Sequence, residues 1–186
     1  PGTYSSVGAS SCTNCQAGKY SSSYGSSSCS SCTAGYYSGA KSISCSQCAI
    51  NTYTTASGSS SCTACSTTCR TVSSTESRCN FKTGVCVSCD AGKYINGKEC
   101  TACPVGKYSN TNTATSCTTC SPLTYQDKTG QTSCISCNEN CEVCTATTGV
   151  CTKCKVAYYA DGKTCKYCLA GQYSDPNNAG KCESCP

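Results

Sequence analysis

The large side chains of this chain follow neither a helical period nor a sustained alternation. They recur as a short phrase, seen in Cys29-Ser30-Ser31-Cys32-Thr33-Ala34-Gly35-Tyr36-Tyr37: a CxxC pair, Gly three positions after its second Cys, and Tyr five positions after it. Between each Tyr and the next CxxC the residues are small and polar, with Gly25 and Gly58 in the first and third copies. This pattern predicts two short extended segments joined by a turn and pinned by Cys at both ends. Full copies start at Cys12, Cys29 and Cys45, after a partial copy over 1–11.

At Cys62 the spacing lengthens. Cys62, Cys65, Cys69, Cys79, Cys86 and Cys89 open a longer module, and Cys134, Cys137, Cys141, Cys144, Cys151 and Cys154 open a second. The two align through Thr83-Gly84-Val85-Cys86 and Thr148-Gly149-Val150-Cys151, then through Tyr94, Gly97, Lys98 and Tyr159, Gly162, Lys163. The expected order is short repeats over 1–61, a long module over 62–99, two short repeats over 100–133, a second long module over 134–164, and a short repeat with the opening of the next over 165–186. Such an array is quasi-one-dimensional, each repeat touching mainly its neighbours, with no domain linker.

Composition explains why the repeats are so short. With no Met, no Trp and one Phe, the chain cannot build a conventional hydrophobic core, whereas its 26 Cys place it among disulfide scaffolds. The expected fold is a small disulfide-rich, elongated tandem array of β-hairpin-like repeats with little or no helix. Disulfides at this density require an oxidising compartment, so the chain is read as extracellular or at the cell surface. There is no initiator Met or secretory leader, and no apolar run near the roughly 20 residues of a membrane span, so a mature, soluble segment is expected. The net charge of +5 is scattered without a basic run, and nucleic acid is not expected as a partner. Placing Pro186 directly before Pro1 would bring Gly2 and Tyr4 into the register of the other repeats. The array is therefore expected to continue, within a longer chain or by head-to-tail polymerisation, against the alternative of a sequence trimmed at a repeat boundary.

The phrase CxxCxxGxYSxxxGxxxC resembles the cysteine-rich repeats of ephrin-receptor type, and the long module is similar to furin-like and tumour-necrosis-factor-receptor cysteine-rich modules. Asn51, Leu123 and Ala157 depart from it by standing where Gly is usual, and Pro directly after CxxC occurs only at Pro104 and Pro186. Arrays of this kind occur in receptors, protist surface antigens and extracellular matrix proteins. The receptor-module resemblance implies that the second Cys of one CxxC joins the first of the next: Cys15 with Cys29, Cys32 with Cys45, Cys48 with Cys62, Cys89 with Cys100, Cys103 with Cys117, Cys120 with Cys134, Cys154 with Cys165, and Cys168 with Cys182. In the long modules it implies Cys65 with Cys79, Cys69 with Cys86, Cys137 with Cys144, and Cys141 with Cys151. Cys12 and Cys185 remain, unpaired or available to a bond between chains.

Repeated CxxC pairs also spell structural zinc, but here they run without interruption and the extra Cys69 and Cys79 break a four-ligand count, so no metal or cofactor is expected. A redox CxxC needs a thiolate at a helix start, which this pattern does not supply. No catalytic residue is assigned: the chain lacks His, and Asp127, Glu139 and Glu142 are read as solvated turns. The registered Tyr rings are read as the small core of each repeat, covering the adjacent disulfide; the other possibility is a ladder that stacks on glycans or a partner. Tyr24, Tyr36 and Tyr158 lie outside the register and are expected to be exposed. No N-glycosylation sequon occurs. Ser21, Ser22, Ser23, Ser26, Ser27, Ser28, Ser59, Ser60, Ser61, Thr111, Thr113 and Thr115 are candidate O-glycan acceptors. The expected function is a structural or adhesive extracellular array whose partners are itself, head to tail or laterally, and glycans, without insertion into a membrane. The alternative is a ligand-binding receptor or surface-antigen ectodomain.

Overall fold

In the computed structural model, residues 1–70, 75–174 and 181–185 are described. Among them there is no helix, and the regular structure consists of ten two-stranded sheets, each a hairpin of consecutive strands. Each short repeat builds its hairpin in the same way. The strand carrying the registered Tyr pairs antiparallel with the residues inside the next CxxC, as Lys19–Tyr20 does with Ser30–Ser31, Thr52–Tyr53 with Thr63–Ala64, and Thr124–Tyr125 with Ile135–Ser136. The strand entry is fixed by a left-handed backbone position, occupied by Gly at Gly2, Gly18, Gly35, Gly92, Gly106 and Gly171. Asn51, Leu123 and Ala157 stand at that same position and also take positive φ, of 64°, 61° and 70°. The departures from Gly therefore leave the turn intact; Leu123 and Ala157 load it with strain, whereas Asn tolerates the left-handed region.

The chain divides into two compact units, Pro1–Cys89 with Ile95–Cys100, and Asp90–Tyr94 with Thr101–Pro186. The first unit holds the bridges Cys15–Cys29, Cys32–Cys45, Cys48–Cys62, Cys65–Cys79, Cys69–Cys86 and Cys89–Cys100. The second holds Cys103–Cys117, Cys120–Cys134, Cys137–Cys144, Cys141–Cys151, Cys154–Cys165 and Cys168–Cys182. Among the described residues, every buried apolar side chain is a cysteine. With a separation of 14 residues, as in Cys15–Cys29, a bridge contributes about 3 kcal/mol in the chain-entropy model. Closely spaced bridges thus take over the role of a core.

Two features depart from the reading of the sequence. First, five short repeats bury a polar side chain directly after the Tyr: Ser21, Ser38, Thr54, Ser109 and Gln126. These groups find partners in place. Ser21 Oγ donates to Ser26 Oγ at 2.7 Å, Ser38 Oγ to the Lys19 carbonyl at 3.1 Å, and Gln126 Nε2 to the Ser133 carbonyl at 2.9 Å, as burial of a polar atom demands. Secondly, of the three tyrosines outside the register only Tyr24 is exposed. Tyr36 is half-buried and meets Phe81 edge to face at 6.1 Å. Tyr158 packs on the Cys141, Cys151 and Cys165 cluster and meets Tyr167 at 5.3 Å. Both contacts take the edge-to-face geometry that the ring quadrupoles favour.

Candidate functional site

The chemistry repeated most often in this molecule is the joining of one repeat to the next. In the first unit Gly2, Gly18 and Gly35 donate their N–H groups to the carbonyls of Ser21, Ser38 and Thr54, at 2.7–2.8 Å. In the second unit Gly92 and Gly106 donate likewise to Ser109 and Gln126 at 2.7 Å. A further bond skips one repeat: the turn residues Lys41 and Gly58 donate to the Cys15 and Cys32 carbonyls at 2.8 and 2.7 Å, and Gly130 donates to Cys103 at 2.8 Å. Each such turn fills a notch between a motif Gly and the second Cys of the following CxxC. The notch admits backbone only, because a Cβ on Gly18 would overlap the Gly58 carbonyl and one on Gly92 the Gly130 carbonyl. Expected contacts between neighbours are thus supplemented by contacts to the next repeat but one.

Each long module grips the Tyr of the short repeat before it. Gly84 lies so close to the Tyr53 ring that a Cβ there would be 2.5 Å from it, and Gly149 stands in the same relation to Tyr125 at 2.6 Å. The aligned lysines complete the grip, with Lys98 Nζ 4.4 Å from the Tyr53 ring centre and Lys163 Nζ 4.7 Å from that of Tyr125. An ammonium over a tyrosine face is drawn to the negative ring quadrupole. Lys98 also donates to the Tyr53 hydroxyl at 3.1 Å, whereas Lys163 forms an ion pair with Asp127 at 2.6 Å. That pair holds the Asp127 carboxyl below its ordinary pKa and raises Lys163 above its own, in both cases chiefly through the hydrogen bond between them. Asp127 and Glu142, read from the sequence as solvated turns, are thus ion-paired; Glu142 meets Lys153 at 2.7 Å. Glu139 is exposed.

Cys12 and Cys185 carry exposed free thiols. Two triads of sulfurs lie within 4.8 Å of one another, Cys69, Cys86 and Cys100, and Cys141, Cys151 and Cys165. All six are in disulfides and present no thiolate to a metal. Of the candidate O-glycan acceptors, Ser22, Ser23, Ser27, Ser28, Ser60, Ser61, Thr111, Thr113 and Thr115 are exposed. Ser21 is buried, and Ser26 and Ser59 are half-buried with their hydroxyls bonded, Ser59 Oγ lying 2.6 Å from Thr54 Oγ1. Ser21 therefore serves the interior of its repeat rather than offering an acceptor. Of the residues in the head-to-tail register, Pro186 lies outside the described residues.

Two stretches of the chain match family models. Residues 35–79 match the tyrosine-protein kinase ephrin type A/B receptor-like model, and residues 65–117 match the laminin EGF domain. The chain is a cysteine-rich repeat array. Its modules are of the extracellular type, and no helix among the described residues is long and apolar enough to cross a membrane. A comparison with curated proteins found no match.

Proposed function

We propose that the chain is an extracellular structural or adhesive element, a disulfide-laddered array that works as a spacer, coat or fibre component. The observation that carries this reading is the joint between repeats: the same backbone bonds recur from Gly2 to Gly35 and again from Gly92 to Gly106, in step with a disulfide in every repeat. Repeats linked this way resist local opening, because the closed bridges leave an unfolded repeat little entropy to gain and its opening must break backbone bonds to two others. Exposed hydroxyls such as Ser22, Ser27, Ser60 and Thr113 would carry O-glycans. The competing reading, a ligand-binding ectodomain, draws on the exposed Val156, Tyr167 and Leu169, which gather in one stretch. Immunogold labelling of native material separates the two. Label along extracellular fibres or a continuous coat is expected; isolated label tethered at the plasma membrane would overturn the structural reading in favour of the ectodomain. Intact mass tests the glycans, and a mass equal to the oxidised polypeptide would remove them.

A further inference from the structure

Three bridges of the second long module gather at one spot: Cys137–Cys144, Cys141–Cys151 and Cys154–Cys165. Cys141, Cys151 and Cys165 form a buried centre, and Cys137, Cys144 and Cys154 pack against it, half-buried. Sulfurs of different bridges touch, Cys151 Sγ lying 3.2 Å from Cys165 Sγ and 3.7 Å from Cys154 Sγ. The strands carry a second set of matches across this cluster. Cys144 pairs with Cys151 in the ladder and Cys141 with Cys154, although neither pair is bonded. Residues opposed across antiparallel strands lie about 4.5–5.5 Å apart at Cα, inside the roughly 4.4–6.8 Å that a disulfide spans. The two cysteines left over by that pairing also stand together. Cys137 packs on the cluster that holds Cys165, and the Cys165 N–H donates to Oδ1 of the adjacent Asn138 at 3.4 Å.

The corresponding positions of the first module lack two of these features. There Cys65 and Cys79 are 7% and 1% exposed, so the bridge equivalent to Cys137–Cys144 is shielded from solvent. Among the described residues only one pair, Cys79 with Cys86, is opposed across that module. An accessible entry bridge and a second opposed pair thus set the second module apart.

We propose that the second long module is a disulfide-exchange switch, in which a low-molecular-weight thiol converts Cys137–Cys144, Cys141–Cys151 and Cys154–Cys165 into Cys144–Cys151, Cys141–Cys154 and Cys137–Cys165. The small thiolate attacks the half-buried Cys137 sulfur, and Cys144 leaves as a thiolate. Cys144 attacks Cys151 and expels Cys141; Cys141 attacks Cys154 and expels Cys165. Cys165 then attacks the Cys137 sulfur, closing the third bond and returning the small thiolate. Three bridges stand before and after, no electrons are gained or lost, and the thiol is regenerated. The hairpin of Tyr158–Asp161 with Thr164–Tyr167, fastened to Cys154, becomes fastened instead to the segment by which the chain enters the module.

The test first blocks the free thiols of the folded chain by alkylation, then adds reduced glutathione in the absence of air. After an acid quench the bridges are mapped by mass spectrometry of peptides cut after Lys and Glu. The starting set joins peptide 143–153 to both 129–139 and 140–142, and 154–155 to 164–166. The exchanged set leaves 143–153 with an internal bond, and joins 140–142 to 154–155 and 129–139 to 164–166. Recovery of both sets from the second module, with the bridges of the first unchanged, is expected. The starting set alone, a Cys137–Cys141 bond beside the looped 143–153, or equal rearrangement in the first module would overturn the proposal. Cys137→Ser reads the relay without added thiol. Its unpaired sulfur is expected to shift from Cys144 to Cys165, with Cys144–Cys151 and Cys141–Cys154 closed. An alkylation label on any other cysteine of the second module would overturn the relay.

Discussion

The two long modules solve one problem with different frames. In the first, the crossed bridges Cys65–Cys79 and Cys69–Cys86 span 14 and 17 residues, and Cys79 meets Cys86 through a single bridge pair. In the second, Cys137–Cys144 and Cys141–Cys151 span 7 and 10, and the shortened chain pairs Cys141–Cys144 with Cys151–Cys154 in an antiparallel ladder whose register shifts on either side of Val143. The turn that follows is nearly superposable in its bonding. Gly84 donates to the Asn80 carbonyl and Gly149 to that of Thr145, both at 2.7 Å, and Cys86 and Cys151 donate to Gly97 and Gly162. Loop length is therefore free to vary while the grip on the preceding Tyr is retained. The grip, rather than the bridge spacing, defines how a long module joins a short repeat.

The largest effects should come from the frames. Replacing Cys65 and Cys79 together by Ser should cost about 3 kcal/mol, and replacing Cys137 and Cys144 about 2.4 kcal/mol, the difference following from the shorter second loop. Chemical denaturation of the remaining, still oxidised chain measures both; a larger loss in the second module would show that its ladder depends on the short bridge for more than loop closure.

Next come the grips. Gly84→Ala and Gly149→Ala each place a methyl against a tyrosine ring at a backbone of φ 75° or 73°, so each should cost about 2–4 kcal/mol from strain and overpacking. Amide exchange should show protection lost in the substituted module alone. Equal loss in both variants supports a common grip, and a tolerated Gly149→Ala would mean that the second Tyr yields where the first cannot.

A smaller effect separates the strand entries. Asn51 is at home with positive φ, and it uses the geometry: its N–H donates to Ser77 Oγ at 3.0 Å and its Oδ1 accepts from the Arg78 N–H at 2.9 Å. Leu123 takes the same backbone with an apolar side chain that is 48% exposed. Relief of left-handed strain outweighs the added chain entropy of glycine, so Leu123→Gly should stabilise by about 0.5–1 kcal/mol. Asn51→Gly should destabilise by a similar amount, through loss of the Arg78 contact. Thermal unfolding of the two variants gives opposite signs, and a gain in both would show that the Asn51 hydrogen bond contributes nothing.

How far the sequence discloses this arrangement depends on range. The hairpin array is legible because Cys, Gly and Tyr repeat within about twenty residues, and the equivalence of Gly84 with Gly149 and of Lys98 with Lys163 shows on alignment. What they hold is not legible, since Tyr53 and Tyr125 belong to earlier repeats and nothing local marks them. Tyr36 was misplaced for the same reason: its partner Phe81 is distant in the chain. The buried hydroxyls had a local signal, the Ser or Thr directly after Tyr at Ser21, Ser38, Thr54 and Ser109, which the abundance of Ser disguised.

The smallest expected effect distinguishes the two lysines by pH. Lys163 has Asp127 as its acceptor, whereas Thr55 occupies the corresponding position in the repeat that Lys98 grips. Asp127 titrates below its ordinary value of 3.8 in the folded chain, so its contribution is complete above that value and is lost as pH falls through the lowered one. Lys163 titrates above its ordinary 10.5, so the same pair is complete below 10.5 and is lost as pH rises through the raised value. Both groups face solvent, and salt will weaken the pair. Ring resonances of Tyr125 should shift during acid titration below pH 4, with Tyr53 silent, and Asp127→Asn should abolish the Tyr125 response. A Tyr53 shift of equal size would place the acid sensitivity in some group common to both modules, and Asp127 would lose its role as the feature that sets the second grip apart.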